Sequence, residues 1–119
     1  MSNIKTTVFC TLQFEGIHCW ANCPIDEVAY LRDLHRHIFH VRAVKEVFHD
    51  DRDIEFIQFK NVLANYIKSK YPKYHPDGNA LLMGSTSCEM LARDLIEEFG
   101  LIECEVNEDG ENGAILKVV

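Results

Sequence analysis

The sequence predicts an α+β domain, an antiparallel sheet with two helices on one face, in the order strand, strand, helix, helix, strand, strand. Three observations lead there. Two runs in the first half alternate in the manner of strands, two later segments space their apolar residues as helices do, and the chain closes on a hairpin pattern. Thr6 to Phe14 sets Val8, Cys10, Leu12 and Phe14 against Thr7, Phe9, Thr11 and Gln13, and this strand ends near His18. A long connection follows, holding Trp20, Cys23 and Pro24, and Val28 and Leu31 mark a helical turn within it. His35 to Phe48 is the second strand. His37, Phe39, Val41, Ala43 and Val47 share one face, and Ile38, His40, Arg42, Val44 and Glu46 the other.

The acidic run from His49 to Asp53 reads as a solvated turn, and Ile54 to Ile57 as a short strand returning beside the previous one. Phe59, Val62, Leu63, Tyr66, Ile67 and Lys70 then fall at helical spacing, and the helix ends before Pro72. Thr86 with Glu89 three residues later forms a capping-box pattern. Cys88, Leu91, Ala92, Leu95, Ile96 and Phe99 line one face of the helix it opens, and Gly100 stops it. Ile102, Cys104, Val106 and Glu108 share a parity in the next strand. Asp109, Gly110, Asn112 and Gly113 reverse the chain into Ala114 to Val119.

Composition sets the bounds. With 119 residues, 47% of them hydrophobic, residues 1–119 form one domain that buries a core without disulfide support. The stretch from Met1 to Lys5 is polar, which is unlike a secretory signal, and no segment is long enough to span a bilayer. Cys10, Cys19, Cys23, Cys88 and Cys104 are odd in number, which fits reduced thiols in the cytoplasm. The net charge of -7 and the scatter of basic residues exclude a nucleic-acid groove, while a small anionic ligand held by local cations stays open.

The chemistry-bearing feature is His35-Arg36-His37. On an extended backbone both imidazoles project from one side, and His18 stands at the end of the earlier strand. Three neutral imidazoles with an open fourth position make a reactive zinc site, so His18, His35 and His37 are the candidate metal ligands.

These residues carry a resemblance. Phe14 with His18 four residues on, His35-Arg36-His37-Ile38-Phe39, the run from Ile54 to Lys60 into a helix, Thr86 with Glu89, and Val106-Asn107-Glu108 together resemble the 6-pyruvoyltetrahydropterin synthase and 6-carboxytetrahydropterin synthase family. The resemblance spans nearly the whole chain. It implies the tunnelling or T-fold, assembly into a homo-oligomeric barrel, and a GTP-derived pterin bound at subunit boundaries. It also implies zinc on the three histidines and Glu108 as the anchor that accepts paired N-H bonds from the guanidine-like edge of a pterin or purine ring. The activity implied is a lyase acting on dihydroneopterin triphosphate on the way to 7-deazaguanine bases, the queuosine pathway, with the metal polarising side-chain oxygens.

The sequence departs from that pattern at the base. The family's catalytic cysteine precedes the histidine pair by a few residues, where this chain has Ala29, Tyr30 and Leu31. Cys23, or Cys19, substitutes only if the connecting loop folds back over the metal. His75, in Lys73-Tyr74-His75-Pro76-Asp77, stands in for a family histidine without the acidic residue before it. Arg36 replaces the usual glycine and either clamps a phosphate or carboxylate beside the metal or points outward. Loss of the cysteine leaves a second reading, a protein that sequesters a pterin or purine nucleotide without turnover. A reductase of the same superfamily uses a cysteine and NADPH without the three histidines, so the histidines count against that branch. Cys10, Cys88 and Cys104 read as small buried hydrophobes, and His40 and His49 are not expected as ligands.

Overall fold

The computed structural model describes residues 3–119; Met1 and Ser2, which open the polar N-terminal stretch, lie outside them. Strand β1 (Thr6–His18) leads through a loop with a 3-10 helix (Asp26–Arg32) into β2 (His35–Val47). Helix α1 (Phe56–Lys70), a two-residue strand β3 (Leu81–Leu82), helix α2 (Cys88–Phe99) and the hairpin of β4 (Glu103–Glu108) and β5 (Asn112–Lys117) complete the α+β domain. The five-stranded sheet runs β3-β1-β2-β4-β5.

Alternation dictates where the core lies. β1 and β2 pair antiparallel over their full length, from Thr6 opposite Val47 to His18 opposite His35. Directly paired residues share a face, so Cys10 with Ala43, Leu12 with Val41 and Phe14 with Phe39 form one apolar stripe, which β4 extends through Cys104 and Val106. Both helices cover this face. Phe59, Leu63 and Ile67 of α1 and Leu91, Ala92 and Leu95 of α2 close one continuous core over it. The bound register matters because a slip by one residue would send every one of these side chains to the open face.

Three expectations need correction. The sheet is mixed, because β3 pairs with Gly16 and Ile17 of β1 in parallel. So short a strand has no periodicity to read. The stretch from Ile54 to Ile57 is no strand: Glu55 caps α1, its carboxylate accepting the N-H groups of Ile57 and Gln58, and Phe56 begins the helix. The cap of α2 is Ser87, whose Oγ accepts from Met90 N at 3.1 Å, while Thr86 faces back and donates to the Met83 carbonyl at 2.8 Å. Gly100 ends α2 as expected, at φ +64°. All five cysteines are free thiols, with Cys10, Cys88 and Cys104 buried. No helix among the described residues is long and apolar enough to cross a membrane.

Candidate metal centre

The apolar stripe of β1 and β2 turns polar at one end without changing face. Beyond Phe14 and Phe39 come Gly16 opposite His37 and His18 opposite His35, and across β2 from Phe39 lies Glu108 of β4. Gly16 is required here, because a Cβ would run into Met83 Sδ and the Phe39 ring. The three imidazoles therefore pack against one another and against Phe39, with centroids 4.6 to 5.4 Å apart among the histidines. One ring nitrogen from each lies within 4.8 Å of the other two.

Which nitrogens these are follows from the hydrogen bonds. His18 Nδ1 is 2.7 Å from the Thr86 carbonyl, His35 Nδ1 is 2.8 Å from the Asp33 carbonyl, and His37 Nδ1 is 2.7 Å from Asp109 Oδ2. All three partners are acceptors, so each Nδ1 carries the proton and donates it. A ring in that tautomer keeps its lone pair on Nε2, the arrangement in which an outer partner orients a metal-binding histidine. His18 Nε2 and His37 Nε2 are buried with no hydrogen-bond partner. Unpartnered buried nitrogens cost about 1–3 kcal/mol each, and a cation that accepts their lone pairs removes that cost. His18, His35 and His37 thus form a group that could hold a metal ion.

Backbone contacts fix the frame. Met83 N donates to the Ile17 carbonyl and Cys19 N to the Gly84 carbonyl, both at 2.9 Å, which ties the end of β1 to the turn that presents the Thr86 carbonyl. Asp109 sits at φ +60° just past Glu108 and accepts both Ile38 N, at 2.8 Å, and the His37 ring. The Ile38 N-H first and the His37 ring second hold its carboxyl below the ordinary value. Burial, and behind it the neighbouring His35 and His37, push the His18 pKa down, against the Thr86 carbonyl and Glu108, which raise it. The net direction favours the neutral ring that a metal requires.

Glu108 stands among the histidines. Its Oε2 is 3.0 Å from His18 Nε2 and its Oε1 3.7 Å from His37 Nε2, yet neither contact has hydrogen-bond geometry, which is why both nitrogens count as unpartnered. Beside them opens a cleft of about 500 Å³, walled by Cys19, Trp20, Leu31, the start of α2 and Glu89. Cys88 also lines it, but burial first and Glu108 second push its thiol up to about 12, so it is protonated and inert.

The other sequence candidates lie elsewhere. Arg36 points to the opposite face of β2, where its guanidinium forms a fork with Glu15 at 3.0 Å to each oxygen. Cys23 is buried, its thiol turned to the Ile25 and Val28 carbonyls at 3.7 Å, and it is not part of the cleft wall. His75 sits in the loop after α1, its Nδ1 accepting from Asp77 N at 3.2 Å, and it too is outside the cleft. Sequence reasoning assigned no ligand role to Asp109. Its signal was an acidic residue directly after a strand-end glutamate and before a glycine, where a left-handed turn aims the carboxylate back along the hairpin. The Thr86 and Asp33 carbonyls leave no such trace, since any residue supplies them.

A solved structure of an uncharacterized protein from Wolinella succinogenes shares the fold, with a TM-score of 0.63 over 98% of this chain and 100% of that one, at 13% identity. No protein-family model matches the sequence, and no curated protein matches it.

Proposed function

We propose that the chain is a T-fold protein carrying zinc on His18, His35 and His37, and that it acts as a 6-carboxytetrahydropterin synthase-like lyase on a GTP-derived pterin. The observation that carries this is the set of three imidazoles whose Nδ1 atoms all meet oxygen acceptors, which each bring one ring nitrogen within 4.8 Å of the others, and of which His18 and His37 leave Nε2 buried and unpartnered. Borderline-soft nitrogen donors of this kind select zinc over magnesium or calcium, which take oxygen. When bound, zinc supplies Lewis acidity that polarises a hydroxyl or carbonyl oxygen and makes the neighbouring C-H proton easier to remove.

The remaining work belongs to the chain. The cleft wall contains Glu89 and Glu108 and no lysine or arginine, so it offers acceptors to a donor-rich ring edge. A triphosphate would have to be met outside this cleft. Cys19, next to His18 and on the cleft wall, is better placed than Cys23 to take a proton from the substrate. Assembly into a homo-oligomer is supported by shape. The radius of gyration is 16.0 Å, against about 13.5 Å for a compact domain of this length, and among the described residues the outer edge of β1 pairs with another strand only at Gly16 and Ile17. A cytoplasmic location accords with the five free thiols.

The position of Cys23, turned away from the cleft, favours a second reading in which the pocket binds a pterin or purine nucleotide without turnover. Zinc-loaded protein incubated with dihydroneopterin triphosphate separates the two. Product formation abolished by a chelator and by His35→Ala supports the lyase, and stoichiometric binding without product supports the sequestering protein. Neither product nor binding overturns both.

A further inference from the structure

We propose that Glu108 is the fourth ligand of the metal in the substrate-free protein, so that the centre is three histidines and a carboxylate rather than three histidines and a water. The inference rests on the three-histidine reading and changes the part that Glu108 plays in it.

Spacing is the first argument. Ligand atoms about 2.0–2.1 Å from a tetrahedral zinc stand about 3.3 Å from one another. One Glu108 oxygen, Oε2, lies 3.0 Å from His18 Nε2 and the other, Oε1, 3.7 Å from His37 Nε2, on either side of that value, while His35 stands more than 4.0 Å from both, so the carboxylate must swing toward His35 to complete the set. Orientation is the second. A carboxylate at 3.0 Å from an imidazole nitrogen would ordinarily be taken for a hydrogen-bonded pair, but the ring protons are spent on the Thr86 carbonyl and Asp109, and the Glu108 contacts lack hydrogen-bond geometry. Lone pairs on neighbouring acceptors repel unless a cation lies between them. Strand register is the third, because Glu108 shares its face with Cys104 and Val106 and is paired with Phe39, one alternation from His37. The backbone therefore carries the carboxylate to the histidines with no help from a flexible loop.

A carboxylate bound to the metal cannot at the same moment read a ring edge. Substrate entry must then displace Glu108 from the metal, which makes the fourth position one that opens on binding.

The test uses the full chain stripped of metal, as wild type, Glu108→Gln and Glu108→Ala. Zn²⁺ is titrated in competition with a chromophoric chelator, and Co²⁺ by its visible absorption. The expected result is one metal per chain in all three proteins, with Zn²⁺ affinity about 10-fold or more weaker in both variants. The Co²⁺ band should change position and intensity as the oxygen donor is lost. Wild-type affinity in both variants overturns the proposal. So does weaker affinity with an unchanged Co²⁺ spectrum, which would mean that Glu108 acts by charge alone. A wild-type chain that binds neither metal overturns the three-histidine reading as well, so the two failures are distinguishable. Glu108 is about one-quarter exposed, 26% by side chain, and the isosteric glutamine preserves the fold against which the alanine variant is judged.

Discussion

The two ends of a single face of the β1–β2 pair obey opposite rules. Around Cys10, Val41 and Ala43 the face is apolar, closed by α1 and α2, and asks nothing beyond shape. Two alternations past Phe39, at His35, the same parity delivers nitrogens, and two of the three rings bury an Nε2 that no protein group satisfies. The core end is complete as it stands. The histidine end leaves two ring nitrogens without a partner and could hold a metal ion, and the contrast teaches that a polar residue on a core parity marks a candidate site when its hydrogen bonds are half made.

The largest break in that comparison is at the boundary itself. Phe39 is fully buried and touches both regimes, stacking on Phe14 and standing edge-on to His18 and His37. Phe39→Ala should cost about 3–5 kcal/mol in urea unfolding of the metal-free chain. It should also loosen the histidines, so that metal affinity falls together with stability. A loss of stability with unchanged affinity would show that the two ends are independent.

Asp109→Asn sharpens the histidine end alone. The carboxylate accepts from Ile38 N and from the His37 ring, and an amide keeps only one of those acceptors while tolerating the left-handed turn. Zinc affinity should fall about 10–100-fold by chelator competition, with little change in the unfolding midpoint of the metal-free chain.

Acid should separate the ends next. Burial holds the His18 pKa below its unfolded value of 6.5, so the unfolded chain binds more protons in that range. The associated stability is fully present above pH 6.5 and is lost as pH falls from there through the lower folded-state value. Urea midpoints of the metal-free chain should drop between pH 7.5 and 5.5, and His18→Gln should flatten that dependence. A midpoint that rises on acidification would contradict the assigned ring state.

The smallest effect belongs to Arg36, which sits between His35 and His37 in sequence yet faces away from them. The exposed fork with Glu15 is a surface pair screened by solvent, so Arg36→Ala should leave the urea midpoint nearly unchanged and zinc affinity as in the wild type. A marked loss of metal would place the guanidinium on the wrong face of β2.

Much of this was legible because strands expose their parity. The alternation that set Phe39, Val41 and Ala43 on one side also set His35 and His37 there, and the shared parity of Cys104, Val106 and Glu108 brought the carboxylate to the same face. The sequence left Arg36 open between a phosphate or carboxylate clamp and an outward position, and the structure sets it outward against Glu15. What stayed hidden depends on backbone atoms and on distance along the chain. The two residues of β3 are too few to show a period, and the mixed sheet rests on them. The Ser87 cap and the Thr86 carbonyl are neighbours, and only the turn from Met83 decides that one closes α2 while the other holds His18. Cys23 and Cys19 lie in one loop, and its folding alone determines which of the thiols reaches the cleft.

The central claim is that His18, His35 and His37 hold one metal between them, and metal content decides it most directly. Purified chain loaded with zinc and desalted should retain about one zinc per chain, and His35→Ala, folded to the same degree, should retain none. A folded wild-type chain that leaves the column free of zinc, or a His35→Ala chain that keeps it, would contradict the account.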